Sequence, residues 1–219
     1  MMERSDIVIR ELRQDESHEV RELILTGLFR ETLTLRNTFG LMSSRESCLW
    51  MATVSAIFYM LSHSVVLSAL LPPFVAFLAS LGYLWGDYRQ YVLDSQSEIQ
   101  DLYAWYANKS DRKFWVALYR QEVIGSVALQ KTSETVAELK KMSVHYKYRR
   151  QGVGKLMVKY LEDYCRSVGI REVFMITSNF GHGHRLYQRC GYVIKAEFLR
   201  RIVPLPGAWV TILQLAKEL

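Results

Sequence analysis

The sequence predicts an α/β protein with a mixed sheet flanked by helices and an apolar membrane hairpin inserted after the first strand and helix. Strand and helix patterns alternate along the chain, and a glycine loop joins a β-branched strand to an amphipathic helix. Residues 47–86 contain no Asp, Glu, Lys or Arg. A chain of 219 residues has room for one well-filled core, so we expect a single domain over residues 1–219.

The chain on either side of the apolar stretch has the patterns of a sheet protein. Apolar positions recur every second residue in the predicted strands and every third or fourth residue in the predicted helices. The predicted strands are residues 6–10, 113–119, 123–130, 136–145, 172–177, 192–198 and 209–215. The predicted helices are residues 15–28, 95–108, 153–168 and 184–190, and Ser95 and Glu98 have the spacing of a capping box. This order predicts a mixed sheet.

The apolar stretch at residues 47–86 is typical of a membrane segment. Pro72 and Pro73 predict a break in it, because proline lacks a backbone donor and pushes the preceding residue out of helical geometry. The two limbs, residues 48–71 and 74–85, would be about 36 and 18 Å long, against a hydrocarbon core of about 30 Å. The segment therefore either spans once or re-enters one leaflet as a hairpin. One sheet cannot straddle a bilayer, so a common sheet would favour the hairpin.

The glycine loop predicts an anion site. Two glycines let the backbone approach an anion closely, and the N–H groups that open the following helix carry the positive end of its dipole. A pyrophosphate would suit this loop. The loop residues are Arg149, Arg150, Gln151, Gly152, Val153, Gly154 and Lys155.

The charge distribution points to the same place. The chain has 28 Lys and Arg against 22 Asp and Glu, a net charge of +6, and residues 140–155 hold six cations and no acid. One short basic loop fits one small polyanion, whereas a nucleic-acid binder spreads its charge over a face with interleaved aromatics. We therefore expect no nucleic-acid partner. A solvated basic turn is the alternative interpretation.

Cysteine, histidine and terminal patterns add three expectations. The three cysteines are scattered, which indicates a reducing compartment, and polar residues 1–15 do not resemble a signal peptide. His182 and His184 lack a second His or Cys pair at ligand spacing, so we expect no metal. Asn108 begins an Asn-Lys-Ser glycosylation pattern that would report a luminal orientation.

Three motifs in the second half of the chain carry a family resemblance. They are the Arg149-x-x-Gly152-x-Gly154 loop, the preceding Glu138-Leu139-Lys140-Lys141-Met142-Ser143-Val144 strand, and Leu186-Tyr187-Gln188-Arg189-Cys190-Gly191-Tyr192. In this order the chain resembles the GNAT acetyltransferase superfamily. With its proline-containing insert it is similar to the membrane-anchored camello-like branch, which includes N-acetylaspartate synthetase.

The resemblance implies a set of site residues. Acetyl-CoA would be the co-substrate, bound mainly by residues 87–219, with its pyrophosphate on the glycine loop. Backbone groups of Met142, Ser143 and Val144 would contact the pantetheine and the thioester oxygen. Glu138 would take the amine proton, and Tyr187 would protonate the departing thiolate. Relatives often hold the pantetheine with an Asn where this chain has Phe180, so Asn179 is the candidate here.

The function implied is a membrane-anchored N-acetyltransferase that moves acetyl from acetyl-CoA to the amine of a small amino acid or amino-acid conjugate by direct attack. The catalytic domain would face the cytosol from the endoplasmic reticulum, in contact with membrane lipid. His184 is a candidate for lining the acceptor pocket. A protein lysine acetyltransferase and a non-catalytic acyl-CoA-binding membrane protein are the alternatives, and the acceptor and the oligomeric state stay open.

Overall fold

The computed structural model describes residues 6–107, 109–179, 183–201 and 209–219. Within these ranges the strands form one seven-stranded sheet in the order β1-β2-β3-β4-β5-β7-β6. The strands are β1 Ile7–Glu11, β2 Arg112–Tyr119, β3 Glu122–Lys131, β4 Val136–Val144, β5 Glu172–Ser178, β6 Val193–Arg201 and β7 Trp209–Glu218. The helices are α1 Ser17–Thr32, α2 Leu35–Met42, α3 Arg45–Ser62, α4 Val65–Asp94, α5 Gln96–Gln100, α6 Leu102–Tyr106, α7 Val153–Ser167 and α8 Gly183–Arg189.

The sheet is mixed, as predicted. Strands β1 to β4 pair antiparallel, β4 and β5 pair parallel, and β5, β7 and β6 pair antiparallel. The turn between β2 and β3 is closed by Arg120 and Gln121, both with positive φ, which suits a tight hairpin. Strand β1 runs beside β2 from Ile7 opposite Tyr119 to Glu11 opposite Trp115. The chain before the apolar insert therefore belongs to the same sheet as the chain after it.

Each face of the sheet is covered by a different layer, and strand alternation decides which side chains enter each layer. In β2, Trp115, Ala117 and Tyr119 face the α7 layer, and the residues between them face the α1 layer. The α7 layer buries Val153, Met157, Val158, Leu161 and Cys165 of α7 and Tyr187 of α8. The opposite layer buries side chains from α1 and α6, and from α2 and α4 against β7, including Val20, Leu23, Ile24, Leu102, Tyr106, Leu41, Met42, Ala76, Leu84 and Val210.

The prediction that Pro72 and Pro73 break the apolar insert is wrong. Both prolines lie inside α4, and the turn falls at His63, which has a left-handed φ of 52°. The Ser64 hydroxyl accepts from the Leu67 amide and so caps the start of α4. Polar capping groups therefore place the turn, whereas prolines are tolerated within helices of an apolar setting. The limbs have 18 and 30 residues, about 27 and 45 Å.

Helix α4 has two unlike halves. Residues 76–94 dock on the domain, where Ala76 and Leu84 are 2% and 0% exposed. Residues 57–75, which we call the hairpin tip, comprise the end of α3, the turn and the start of α4; here Leu61 and Leu70 are 78% and 65% exposed. Among the described helices, α4 is the one long and apolar enough to cross a membrane, by length and composition.

The single helix predicted at residues 95–108 is also wrong. Helix α4 extends to Asp94, next to the predicted start at Ser95, and two short helices, α5 and α6, follow instead of one. The predicted capping box does not form, since Ser95 makes no side-chain cap and Asp101 instead caps α6 by accepting from the Ala104 amide at 2.9 Å. The Glu98 carboxylate points toward the sheet instead of capping the helix, so α5 places a charged group in the core.

Candidate active site

The centre of the sheet opens between β4 and β5. Their parallel pairing joins Val136–Glu138 to Glu172–Phe174, and β4 continues beyond it to Val144. The His145 amide donates to the Ile124 carbonyl of β3, so by strand alternation the neighbouring Val144 backbone faces the β5 side. By the same alternation the Met142 backbone also faces this gap between the two strands, whereas Ser143 pairs with Ser126 of β3. An extended ligand can pair with the groups that face the gap.

The glycine loop lies at the end of this gap and has the geometry of an anion cradle. Arg150 and Gly152 both have positive φ, 64° and 91°, which turns the backbone sharply into α7. The Leu156 amide donates to the Gly152 carbonyl at 3.0 Å, so the amides of Val153, Gly154 and Lys155 precede the first intrahelical bond. These N–H groups point out of the helix start, toward a site for phosphate.

The side chains of the loop divide between packing and solvent. Val153 is buried in the α7 layer, and Arg150, Gln151 and Lys155 are exposed. A side chain at Gly154 would come within 2.9 Å of Leu186 and 3.4 Å of Met142, so glycine here lets α7 lie close to α8 and β4. The exposed cations can meet an incoming anion.

Arg149 is the exception, because its side chain turns inward. Its Nε donates to the Val144 carbonyl at 2.9 Å, and its Nη1 lies 3.2 Å from the Glu31 carboxylate of α1. The guanidinium thus joins the loop to β4 and α1. The sequence pattern gave no signal for Glu31, since a single glutamate near the end of an amphipathic helix usually faces solvent.

Glu138 is half-buried at the point where β4 leaves β5. Ala137 and Leu139 face the α7 layer, so Glu138 faces the opposite layer. Burial raises the pKa of its carboxyl above the usual value; Lys140 and Lys141 oppose this rise, and Glu98 adds to it. A carboxyl with a raised pKa beside the gap is well suited to accept a proton from an amine.

A buried charged network stands next to Glu138, and sequence reasoning missed it. Glu98 of α5 is 8% exposed, accepts from the Tyr106 hydroxyl, and lies 3.2 Å from the Lys141 ammonium and 3.9 Å from that of Lys140. Lys141 also donates to the Tyr91 hydroxyl of α4 at 2.9 Å. The network joins the apolar helix to the strand that carries the site.

Tyr187 lies on α8 and belongs to the buried core of the α7 layer, 7% exposed. Burial raises the pKa of its phenol, and the nearby charges of Glu31 and Cys190 raise it further. The hydroxyl therefore keeps its proton through the physiological range and can donate it. The ring also packs edge-on against Tyr192, with centroids 6.0 Å apart, so the side chain has a packing role as well.

The remaining predicted residues are placed less informatively. Asn179 is exposed after β5, where its backbone amide donates to the Thr211 carbonyl at 2.9 Å, and its pantetheine contact stays a prediction. His184 is the second residue of α8, and its buried Nδ1 finds no partner among the described residues. Asn108, Phe180 and His182 lie outside the described residues. In the described ranges no group of three His, Cys, Asp or Glu side chains is arranged to hold a metal.

Two N-acetyltransferases and an N-acetylaspartate synthetase are among the relatives that match most of the chain. The chain is 28% identical over 196 residues to "Probable N-acetyltransferase 14" of Xenopus tropicalis, covering 88% of this chain and 89% of that protein. It is 26% identical to N-acetyltransferase family 8 member 3 of Rattus norvegicus, with 82% and 77% covered. It is 25% identical to N-acetylaspartate synthetase of Danio rerio, with 86% and 67% covered.

Solved structures share the fold at low identity. A GNAT family acetyltransferase from Staphylococcus aureus Mu50 matches with a TM-score of 0.57 and 17% identity, over 97% of this chain and 98% of that one. Spermidine N-acetyltransferase from Vibrio cholerae matches at 0.55 and 14%, over 98% and 96%. The acetyltransferase (GNAT) family model matches residues 79–192, slightly more than half of the chain. The chain therefore belongs to the acetyltransferase (GNAT) family, which confirms the predicted mixed α/β fold of the sheet and its helices, the acetyltransferase class and acetyl-CoA as co-substrate.

Proposed function

We propose that the protein transfers acetyl from acetyl-CoA to the amine of a small amino acid or amino-acid conjugate. The observation that carries this proposal is the placement of Glu138 where β4 leaves β5, beside a gap that ends at the glycine loop. A thioester lying along β4 with its pyrophosphate on the loop would bring its acetyl group toward Glu138. Relatives whose names specify acetylated small molecules support the substrate class.

The residues supply the parts that acetyl transfer needs. The amine nitrogen attacks the thioester carbon, a C–N bond forms, and the C–S bond breaks. The amine proton passes to Glu138, directly or through water, and the departing thiolate takes a proton from Tyr187. Backbone N–H groups of the Met142–Val144 segment would stabilise the oxyanion that develops on the thioester oxygen. The products are an amide and coenzyme A, and Glu138 and Tyr187 exchange protons with solvent to return to their starting states.

The test is thiol release from acetyl-CoA by detergent-solubilised protein with aspartate, S-benzylcysteine and lysine peptides as acceptors. We expect turnover with one of the two small acceptors. Turnover confined to lysine peptides would establish a protein lysine acetyltransferase instead. Saturable acetyl-CoA binding without turnover of any amine would indicate a non-catalytic acyl-CoA-binding protein. The name of the relative N-acetylaspartate synthetase makes aspartate the first acceptor to test.

The second part of the proposal is a hairpin anchor in one leaflet of the endoplasmic reticulum membrane. β1 and β2 share one sheet, so the chain leaves and returns on the same side. The free part of α4, Val65 to Val75, has 11 residues and reaches about 16 Å, half of a hydrocarbon core of about 30 Å. The docked half holds the rest of α4 against α1, α2 and β7. These lengths favour re-entry over a crossing.

Orientation can be read from the Asn108 glycosylation pattern. A catalytic domain that faces the cytosol would leave Asn108 unmodified and open to protease in intact microsomes. Glycan addition at Asn108 would contradict the cytosolic assignment, and a shift in mass after glycosidase treatment would detect it. A fusion that carries the same pattern behind a signal peptide is the positive control for the microsomes.

A further inference from the structure

We propose that Glu98 is a positioning residue for acetyl transfer. Through a buried ion pair with Lys141, it holds the bulge of β4 in the conformation that leaves the gap between β4 and β5 open. The inference rests on the proposed function, since it concerns the same gap between β4 and β5. It adds a residue that lies outside the family motifs, on the short helix α5 that follows α4.

Lys141 occupies the point where β4 changes its register. The β3–β4 ladder pairs Ala128 with Lys140 and then Ser126 with Ser143, so β4 carries an extra residue. Lys141 has a left-handed φ of 49° at this bulge, a conformation that L side chains rarely adopt and that surrounding contacts must maintain. The Ser126 hydroxyl donates to the Lys141 carbonyl at 2.9 Å and holds the backbone from the β3 side.

The Lys141 side chain is held from the other layer. It is 3% exposed, and its ammonium lies 3.2 Å from the Glu98 carboxylate and 2.9 Å from the Tyr91 hydroxyl. Glu98 is itself buried and takes a further hydrogen bond from Tyr106. A buried charge without its partner is strongly unfavourable, so loss of Glu98 would expel the Lys141 ammonium toward solvent. The bulge would then lose the contact that keeps its left-handed residue in place.

The same pair acts on Glu138 through charge. The charged groups that affect the Glu138 carboxyl are Lys140 and Lys141 on its own strand and Glu98 on α5; the hydroxyls of Tyr106 and Tyr91 face the network from α6 and α4. Glu98 raises the pKa of Glu138, and the two lysines lower it. Neutralising Glu98 therefore lowers the pKa of Glu138 and weakens it as a base.

The experiment compares Glu98→Gln with Glu162→Gln in full-length protein. Glu162 is also buried and ion-paired to a lysine, Lys217 at 2.8 Å, but it lies in the second half of α7, on the face of the sheet opposite Glu138. For Glu98→Gln we expect acetyl-CoA to bind about tenfold more weakly, kcat to fall about a hundredfold, and the acid limb of kcat/KM to move to lower pH. Glu162→Gln should change only thermal stability. The double variant Glu98→Gln/Lys141→Gln should recover part of the acetyl-CoA affinity, because it removes the unpaired charge.

The outcomes separate this inference from the proposed function. If the wild-type protein turns over no amine, comparing the calorimetric acetyl-CoA affinity of Glu98→Gln with that of wild-type protein still tests whether Glu98 maintains the bulge. Equal acetyl-CoA affinity and an unmoved pH profile in Glu98→Gln would overturn the inference and leave the enzyme intact, as would identical behaviour of the two glutamate variants. Should Glu98→Gln fail to fold, Tyr106→Phe removes one hydrogen bond to Glu98, and an unchanged kcat and pH profile in that variant would overturn the inference.

Discussion

The two layers that cover the sheet differ in chemistry. The α7 layer is mainly an apolar core, with its buried Glu162–Lys217 ion pair in the second half of α7, and it offers the site mainly backbone groups, through the glycine loop at the start of α7. The opposite layer brings charges to the sheet, with Glu138, Glu98 and Lys141 beside a helix that continues into the apolar hairpin. We infer a division of labour, in which the α7 layer holds the cofactor and the other layer holds the base and acceptor. Four predictions test it, in order of decreasing expected effect on the steady-state kinetics.

Glu138→Gln should have the largest effect. The amide cannot accept the amine proton, so we expect kcat/KM to fall about a thousandfold while acetyl-CoA affinity stays within about twofold. In wild-type protein the raised pKa of Glu138 means that kcat/KM declines as pH falls through a value above the usual 4.5 of a glutamate. The variant should lose this acid limb. Steady-state kinetics across pH, with calorimetric acetyl-CoA binding, provide the measurement.

The control for Glu138→Gln is Glu172→Gln. Glu172 is half-buried at the closed end of the same pairing, opposite Val136, where β4 and β5 still run together. Its loss should leave kcat/KM and the pH profile as in wild-type protein. Weaker acetyl-CoA binding in Glu138→Gln would contradict the proposed division, because it would show that the layer opposite α7 also helps to bind the cofactor.

Gly152→Ala should act on the cofactor alone. Gly152 has φ of 91°, and an alanine there costs about 1–2 kcal/mol and displaces the amides that open α7. We expect acetyl-CoA KM to rise about tenfold to a hundredfold, with acceptor KM unchanged. Gly169→Ala is the matched control, since Gly169 at the other end of α7 has φ of 80° and open space around it. Equal losses of acetyl-CoA affinity in both variants would show that helix strain, and not the anion cradle, explains the effect.

Tyr187→Phe tests an exception to this division, because Tyr187 lies in the α7 layer but is proposed to take part in the chemical step. Loss of the phenol removes the acid for the leaving thiolate, and we expect kcat to fall about tenfold to a hundredfold with acetyl-CoA affinity retained. The raised pKa of Tyr187 keeps the phenol protonated, so removing it should change no alkaline limb below pH 10. Tyr192→Phe, a buried neighbour 6.0 Å away, should keep kcat. Equal kcat in both variants would reduce Tyr187 to a packing residue.

The sequence was most informative where local patterns and tertiary packing agree. Alternation in residues 113–119 assigns Trp115 and Val116 to opposite layers. The glycine loop could be predicted because the positive φ at position 152 favours glycine, which the sequence shows directly. The two failures have different causes. Polar caps around Ser64 place the turn of the insert, and Pro72 and Pro73 are tolerated within α4. The role of Glu98 depends on contacts with distant segments, which override the local rule for a capping box.

The hairpin tip, which continues from the α4 helix of the layer opposite α7, is the region whose change should affect turnover least. Leu61→Asp/Leu70→Asp places two charges on a surface that we assign to hydrocarbon, at about 3 kcal/mol each. We expect the variant to leave the membrane pellet for the soluble fraction, and kcat in detergent to stay within about twofold, because the docked half of α4 still carries Tyr91 to Lys141. Val8→Asp, at an exposed apolar position of β1, is the control and should stay in the pellet. If the double variant pellets like wild-type protein, the hairpin tip is not the membrane anchor. A large loss of kcat would show that catalysis depends on both halves of α4.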